Sequence, residues 1–211
     1  MSLLNKASLI QIPSGYKDGT LYSAKPINGD GDFTFSRGSN LAATRVNSEG
    51  LIEKGRENLA LSSNDISTQS TYWVANQGGT TIQNSAVAPD GTTTASTITA
   101  NGTNTYSGVA QSGIVMGALR YTYSVYLKAQ SGTPDIRLTS FDGVTFHKQD
   151  FSITTEWERY SITFTPTAGT HNIYITSTQA VSWYAWGAQF ELGLVATDYI
   201  PQPPQLHKRV Y

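Results

Sequence analysis

The chain has 211 residues, no cysteine, and only 14% charged residues, with Lys and Arg 14 against Asp and Glu 15. The missing cysteines exclude disulfide staples, a thiol nucleophile and zinc–thiolate sites. A net charge of -1 excludes a strongly basic, phosphate-seeking surface, so no nucleic-acid partner is expected.

Aromatic residues make up 11% of the chain, which argues against disorder. No apolar run approaches the about 20 residues a spanning helix needs, so no membrane insertion is expected. The opening MSLLNKASLIQIPSGY lacks a charged segment followed by a long apolar run. It reads as a chain made in a cytoplasm and not exported by a cleaved signal.

Residues 1–57 differ from the rest. Gly15, Gly19, Gly29, Gly31, Gly38, Gly50 and Gly55 interrupt them, and only short strands over 33–37, 43–47 and 50–54 are legible. Such a segment has too little apolar surface to fold alone, so an extended N-terminal arm with a β-hairpin is expected. Asn28-Gly29-Asp30-Gly31-Asp32 alternates oxygen-bearing side chains of the kind calcium prefers, without the spacing or distal Glu of an EF-hand. A glycine-rich turn into the next strand accounts for it equally well.

From 58 to 200 the dominant period is two, and no helical spacing is sustained. Over 119–129, Leu119, Tyr121, Tyr123, Val125 and Leu127 share one face. Tyr160, Ile162 and Phe164 do so over 158–164, and Ile173 and Ile175 over 171–177. β-Branched and aromatic residues in this pattern predict half-buried strands. Phe141-Asp142-Gly143-Val144 predicts a tight type I′ hairpin. Over 182–192 the pattern puts Tyr184, Trp186, Ala188, Phe190 and Leu192 toward the core, and Trp183, Ala185, Gly187, Gln189 and Glu191 outward. About nine such strands predict an all-β antiparallel β-sandwich of jelly-roll type over 58–200. The tail 201–211 carries three prolines and is expected to be extended.

Catalytic constellations are not legible. Glu156 and Glu158 flank Trp157 on one exposed face, whereas a glycosidase pair faces across a cleft. His147, His171 and His207 are scattered, and no phosphate loop occurs. No enzyme activity and no cofactor are expected. The outward strand positions instead supply Tyr126, Arg137, Tyr174, Trp183 and Gln189, with Thr139 and Thr176. Aromatic platforms beside hydrogen-bonding groups suit sugar faces and hydroxyls. The same exposed aromatics also suit a subunit interface.

Two stretches carry a family resemblance. One is DFTFSRGSNLAATRVNSEGLIEKGRENLAL (32–61). The other runs from YWVANQGGTTIQNSAVAPDGTTTASTIT (72–99) through YSVYLKAQSG (123–132) to WYAWGAQFELGLVATDYIP (183–201). Together, over residues 30–201, they resemble bacteriophage tail and virion-surface proteins whose central unit is similar to the jelly roll of carbohydrate-binding modules. The resemblance implies a place on the capsid or tail surface of a virion. It implies attachment to other virion proteins through the 1–57 arm, a homo-oligomer, and weak adhesion to host-surface glycans. It also allows a structural calcium that no motif here locates. The rival expectation is a purely structural decoration, head-fibre or tail-adaptor subunit with no ligand.

Overall fold

A computed structural model describes residues 6–17, 20–34, 44–46, 52–54 and 57–202. The chain divides into two units, 1–55 and 56–211. The regular elements described in both units are β-strands.

In the first unit, β1 (Ile10–Lys17), β2 (Thr20–Lys25) and β3 (Phe33–Thr34) form an antiparallel sheet in that order. β4 (Thr44–Val46) pairs with β5 (Ile52–Lys54), Arg45 opposite Glu53. This pairing falls within the expected strands 43–47 and 50–54, whereas β1 and β2 are not legible from period two. Their pairing shifts register between Gln11 and Tyr16, and an irregularity of that kind breaks the alternation a sequence reading relies on. Residues 35–37 of the expected first strand lie outside the described residues, as do 43, 47, 50 and 51 of the expected hairpin strands. The Asn28–Asp32 turn uses its own oxygens. Asp32 Oδ1 accepts from Ser23 N at 2.7 Å, and Asn28 Nδ2 donates to Asp30 Oδ2 at 2.7 Å.

Among its described residues the second unit holds ten strands: β6 (Trp73–Asn76), β7 (Thr80–Ala86), β8 (Ala95–Thr99), β9 (Ser107–Met116), β10 (Tyr121–Ala129), β11 (Asp135–Phe141), β12 (Phe146–Ser152), β13 (Glu158–Phe164), β14 (Gly169–Ser177) and β15 (Ser182–Leu192). They make two five-stranded antiparallel sheets. The first has the order β13-β10-β15-β8-β7 and the second β12-β11-β14-β9-β6. The sheets pack face to face, each contributing alternate residues to one core. Tyr123, Val125 and Leu127 of β10 meet Ile136 and Leu138 of β11 and Ile173 and Ile175 of β14 in that core. Burying a side chain of this size contributes roughly 1.5–3 kcal/mol, so the two-residue phase of these strands is strongly fixed.

One strand departs from the expected phase. Trp183, Ala185, Ala188 and Phe190 of β15 all lie in the main core, so the inward phase changes between Ala185 and Ala188. The pairing with β10 shows why. Ser124 faces Gln189 and Tyr126 faces Trp186, so one β10 residue opposes two on β15. Gly187 sits at φ +67 in this bulge, a left-handed conformation that costs glycine little. The expected face holds for Ala188 and Phe190 and is reversed for Tyr184 and Trp186. Trp186 is buried, but with Ala88 and Ala95 outside the main core. Trp183, expected outward, is a fully buried core residue.

The expected tight hairpin is a longer loop. Phe141 and Phe146 are the last pair of β11 and β12, which leaves 142–145 as the connection. The Asp142 carboxylate holds that loop, accepting from Val144 N at 2.9 Å and Thr145 N at 2.6 Å. The side chain adds to the one backbone bond across the loop, from Asp142 N to the Thr145 carbonyl at 3.2 Å, as Asp side chains do in turns. Of the tail, only Pro201 and Gln202 are described. Gln202 Nε2 donates to the Asn58 carbonyl, which ties the two ends of this unit together.

Candidate functional site

The outer face of the second sheet is laid out in rows by its register. Lys148, Thr139 and Tyr174 are cross-strand neighbours on β12, β11 and β14, and Asp150, Arg137 and Thr176 form the next row. Thr176 then faces Gly108 of β9, and Gly108 faces Asn76 of β6. Small residues therefore make the middle of this face low. A Cβ on Gly108 would stand 2.2 Å from Ile175 O, so the close approach of β9 to β14 requires glycine there.

Larger side chains stand at both sides of this floor. The result is an open groove of about 320 Å³, lined among others by Tyr106, Arg137, Phe146, Lys148 and Tyr174. Thr139 and Thr176 lie on its floor, and the amides of Asn76 and Gln77 stand at its β6 side. A shallow cleft with aromatic faces and several hydrogen-bonding groups can hold a flexible polar ligand by stacking and by hydrogen bonds to hydroxyls.

The walls are fixed before any ligand arrives. Arg137 donates from Nε to Asp150 Oδ1 at 2.6 Å and from Nη2 to Asp150 Oδ2 at 2.5 Å. Its guanidinium also lies over the Tyr106 ring, 4.2 Å from the centroid. The bidentate pair raises the guanidinium pKa and lowers that of the Asp150 carboxyl, chiefly through the Arg137 hydrogen bonds, so both stay charged. Tyr106 has φ +63, a conformation unfavourable for a bulky side chain. Asn76 Nδ2 holds it by donating to its carbonyl at 2.6 Å. The loop before it is stapled down, with Asn101 Nδ2 and Asn104 Nδ2 both donating to Gln77 O. On the opposite wall the Phe146 ring stacks on Phe141 at 4.2 Å.

Of the five expected site residues, Arg137 and Tyr174 stand together in this groove, joined by Thr139 and Thr176. The other three do not. Trp183 is in the core because of the Gly187 bulge. Tyr126 and Gln189 belong to the outer face of the first sheet, which the chain itself covers. There Trp186 packs at a tilt against Tyr199, with ring centroids 4.4 Å apart, and donates from Nε1 to Thr94 Oγ1 at 2.9 Å. Tyr126 packs beside Trp186 under the Arg159 guanidinium, and Arg159 donates to the Thr197 carbonyl.

Gln189 is fully buried. Its Oε1 accepts from Ile200 N at 2.7 Å and its Nε2 donates to Glu191 Oε1 at 2.6 Å. Glu191 in turn accepts from Thr197 N at 2.8 Å and Thr197 Oγ1 at 2.7 Å. Most of the closing motif WGAQFELGLVATDYIP is thus a clasp that folds the exit segment over the sheet. The side-chain amide of Gln189, the carboxylate of Glu191 and the hydroxyl of Thr197 are spent internally and offer nothing to a ligand.

Several groove residues were missed in the sequence. Tyr106, Thr105 and Gln77 sit in loops or turns, where no periodicity points them anywhere. Phe146 and Lys148 could have been found, since they alternate with His147 and Gln149 along β12. Glu156 and Glu158 are both exposed, and Glu158 accepts from Thr154 Oγ1 and Tyr160 OH. Among the described residues no group of three or more His, Cys, Asp or Glu side chains is placed to hold a metal ion.

No family model matches this chain, and no curated protein sequence matches it. Solved structures do resemble it. The CBM22-1 xylan-binding domain from Paenibacillus barcinonensis Xyn10C is 19% identical, with a TM-score of 0.51 over 67% of this chain and 94% of that one. The tandem CBM22-1–CBM22-2 domain of the same protein is 18% identical, with a TM-score of 0.50 over 67% of this chain and 46% of that one. The enzymatically active domain of tailspike protein 4 from bacteriophage CBA120 is 12% identical, with a TM-score of 0.49 over 64% of this chain and 21% of that one. The second unit therefore has the β-sandwich fold of carbohydrate-binding-module jelly rolls.

Proposed function

We propose that the second unit is a glycan-binding module whose ligand lies across the outer face of the second sheet, and that the protein displays it on a phage virion. The observation that carries the binding reading is the groove itself. It is open, and its aromatic and amide groups are held in place by bonds made before any ligand arrives. Such preorganisation lowers the ordering cost of binding. The xylan-binding neighbours share the fold, but the residues named here are this chain's own.

The virion reading rests on the sequence resemblance over 30–201. In it the 1–57 segment docks onto other virion proteins. The first unit exposes Tyr22, Ile27 and Phe33, and apolar groups of this kind favour a protein partner. Several copies on one particle, as a homo-oligomer or an array, would turn weak contacts into useful adhesion. The groove chemistry is non-covalent and uses no cofactor.

Glycan-array binding with the purified protein and with a Phe146→Ala, Tyr174→Ala double variant tests the first part. The wild type is expected to bind a restricted set of glycans, and the variant to bind them at least about tenfold more weakly. Failure of the wild type to bind any glycan, or equal binding by the variant, would leave the structural role standing instead. Mass spectrometry of purified particles tests the second part: absence of the protein from them refutes a place on the virion.

A further inference from the structure

Building on the glycan-binding reading, we propose that the groove selects saccharides bearing an anionic substituent, which is received beside Lys148 and Arg137. The lining of the groove contains these two cations and no carboxylate. Lys148 is exposed on the edge strand β12, and its ammonium acts on the Asp150 carboxylate only through its charge, as a lesser cause than Arg137. Arg137 commits Nε and Nη2 to Asp150 and also interacts with the Tyr106 side chain. These contacts fix its guanidinium plane at the edge of the groove, so its position needs no further loss of side-chain freedom.

Carboxylates are present nearby, but on the other side of a bar. Arg137 and Tyr106 line both the main groove and a second hollow of about 190 Å³, and that hollow contains Asp135 and Asp150. Charge therefore changes sign along the face. The hollow beyond the bar repels an anion, while the side toward Phe146 and Lys148 attracts it. A neutral glycan hydroxyl accepts a hydrogen bond from either cation. An anionic group makes that bond between opposite charges and adds their attraction to it. A carboxylate and a sulfate ester both supply this chemistry.

An array carrying neutral, uronate- or sialate-bearing, and sulfated oligosaccharides, probed with the full chain, separates these sources. The bound set is expected to be anionic. For its tightest member, raising salt from about 50 mM to about 500 mM should weaken binding by about tenfold. Lys148→Gln should also weaken it by about tenfold. Reducing the ligand carboxyl to an alcohol, or removing its sulfate, should weaken wild-type binding equally and erase the effect of Lys148→Gln. Asp135→Asn, on the far side of the bar, should tighten the anionic ligand. Preference for neutral glycans, or a Lys148→Gln effect that persists on the neutralised ligand, overturns the charge selection while glycan binding stands. An array with no bound glycan overturns the glycan-binding reading itself.

Discussion

The outer face of the first sheet presents Tyr126, Tyr184 and Trp186, and that of the second presents Arg137, Tyr174 and Phe146. By residue type the two are equally good ligand surfaces. They differ in what the chain does next. After β15 the exit segment turns back over the first sheet, and Thr197, Tyr199 and Ile200 take up Glu191, Trp186 and Gln189. Nothing among the described residues of this unit turns back over the second sheet's groove. Availability of a surface is decided by where the connecting segments run as much as by the composition of its strands.

The largest expected effect separates the two faces directly. Trp186→Ala removes the ring that Tyr126, Tyr199 and Ala95 pack on and should destabilise the unit by about 3–5 kcal/mol. Tyr174→Ala on the open face should cost less than about 1 kcal/mol. Chemical-denaturation midpoints of the two variants check this. Similar losses for both would mean that the second face is covered as well.

Much of the fold was legible because its strands keep a strict two-residue period. β10, β11 and β14 place Tyr123, Leu138 and Ile173 inward as their alternation requires, and this also put Arg137 and Tyr174 on one outer face. The failures have local causes. Alternation alone points Trp183 outward, because a one-residue bulge at Gly187 does not show as a break in a run where nearly every residue is apolar or small. Gln189 and Tyr126 do point away from the core. Their burial depends on residues 197–200, whose return path is a tertiary fact. Tyr106 was invisible because its place is set by amide side chains of Asn76, Asn101 and Asn104 and not by a strand.

A second, smaller effect tests the bulge. In the structure a Cβ at position 187 would lie 3.1 Å from Tyr126 Cδ2 and 3.5 Å from Tyr199 Cδ2, while φ is +67. Gly187→Ala should therefore cost about 1–2 kcal/mol for the left-handed backbone, and somewhat more if the two rings cannot shift. Binding at the open groove should be unaltered, since Gly187 lies on the other sheet. A stability change within error would show that the bulge relaxes into the expected phase.

The smallest effect concerns how the open sheet's edge is held, and it appears as a pH dependence. On the closed face the buried carboxylate of Glu191 anchors the exit segment. On the open sheet the corresponding anchor is Asp142, at the β11–β12 loop. Hydrogen bonds from Thr167 N first, then from Thr145 N and Val144 N, with His147 Nε2 at 3.2 Å, hold its pKa well below the usual carboxylate range. A carboxyl whose folded pKa lies below its unfolded value of about 3.9 stabilises the fold above that pH, and the contribution is lost as pH falls toward the folded value. Asp142→Asn keeps one acceptor oxygen and loses the charge. It should be less stable than the wild type near pH 7, and the gap should narrow progressively below about pH 4. Denaturation midpoints of both proteins across that range provide the measurement. A gap that stays constant down to about pH 2 would mean that the loop is held by the shape of the side chain and not by its charge.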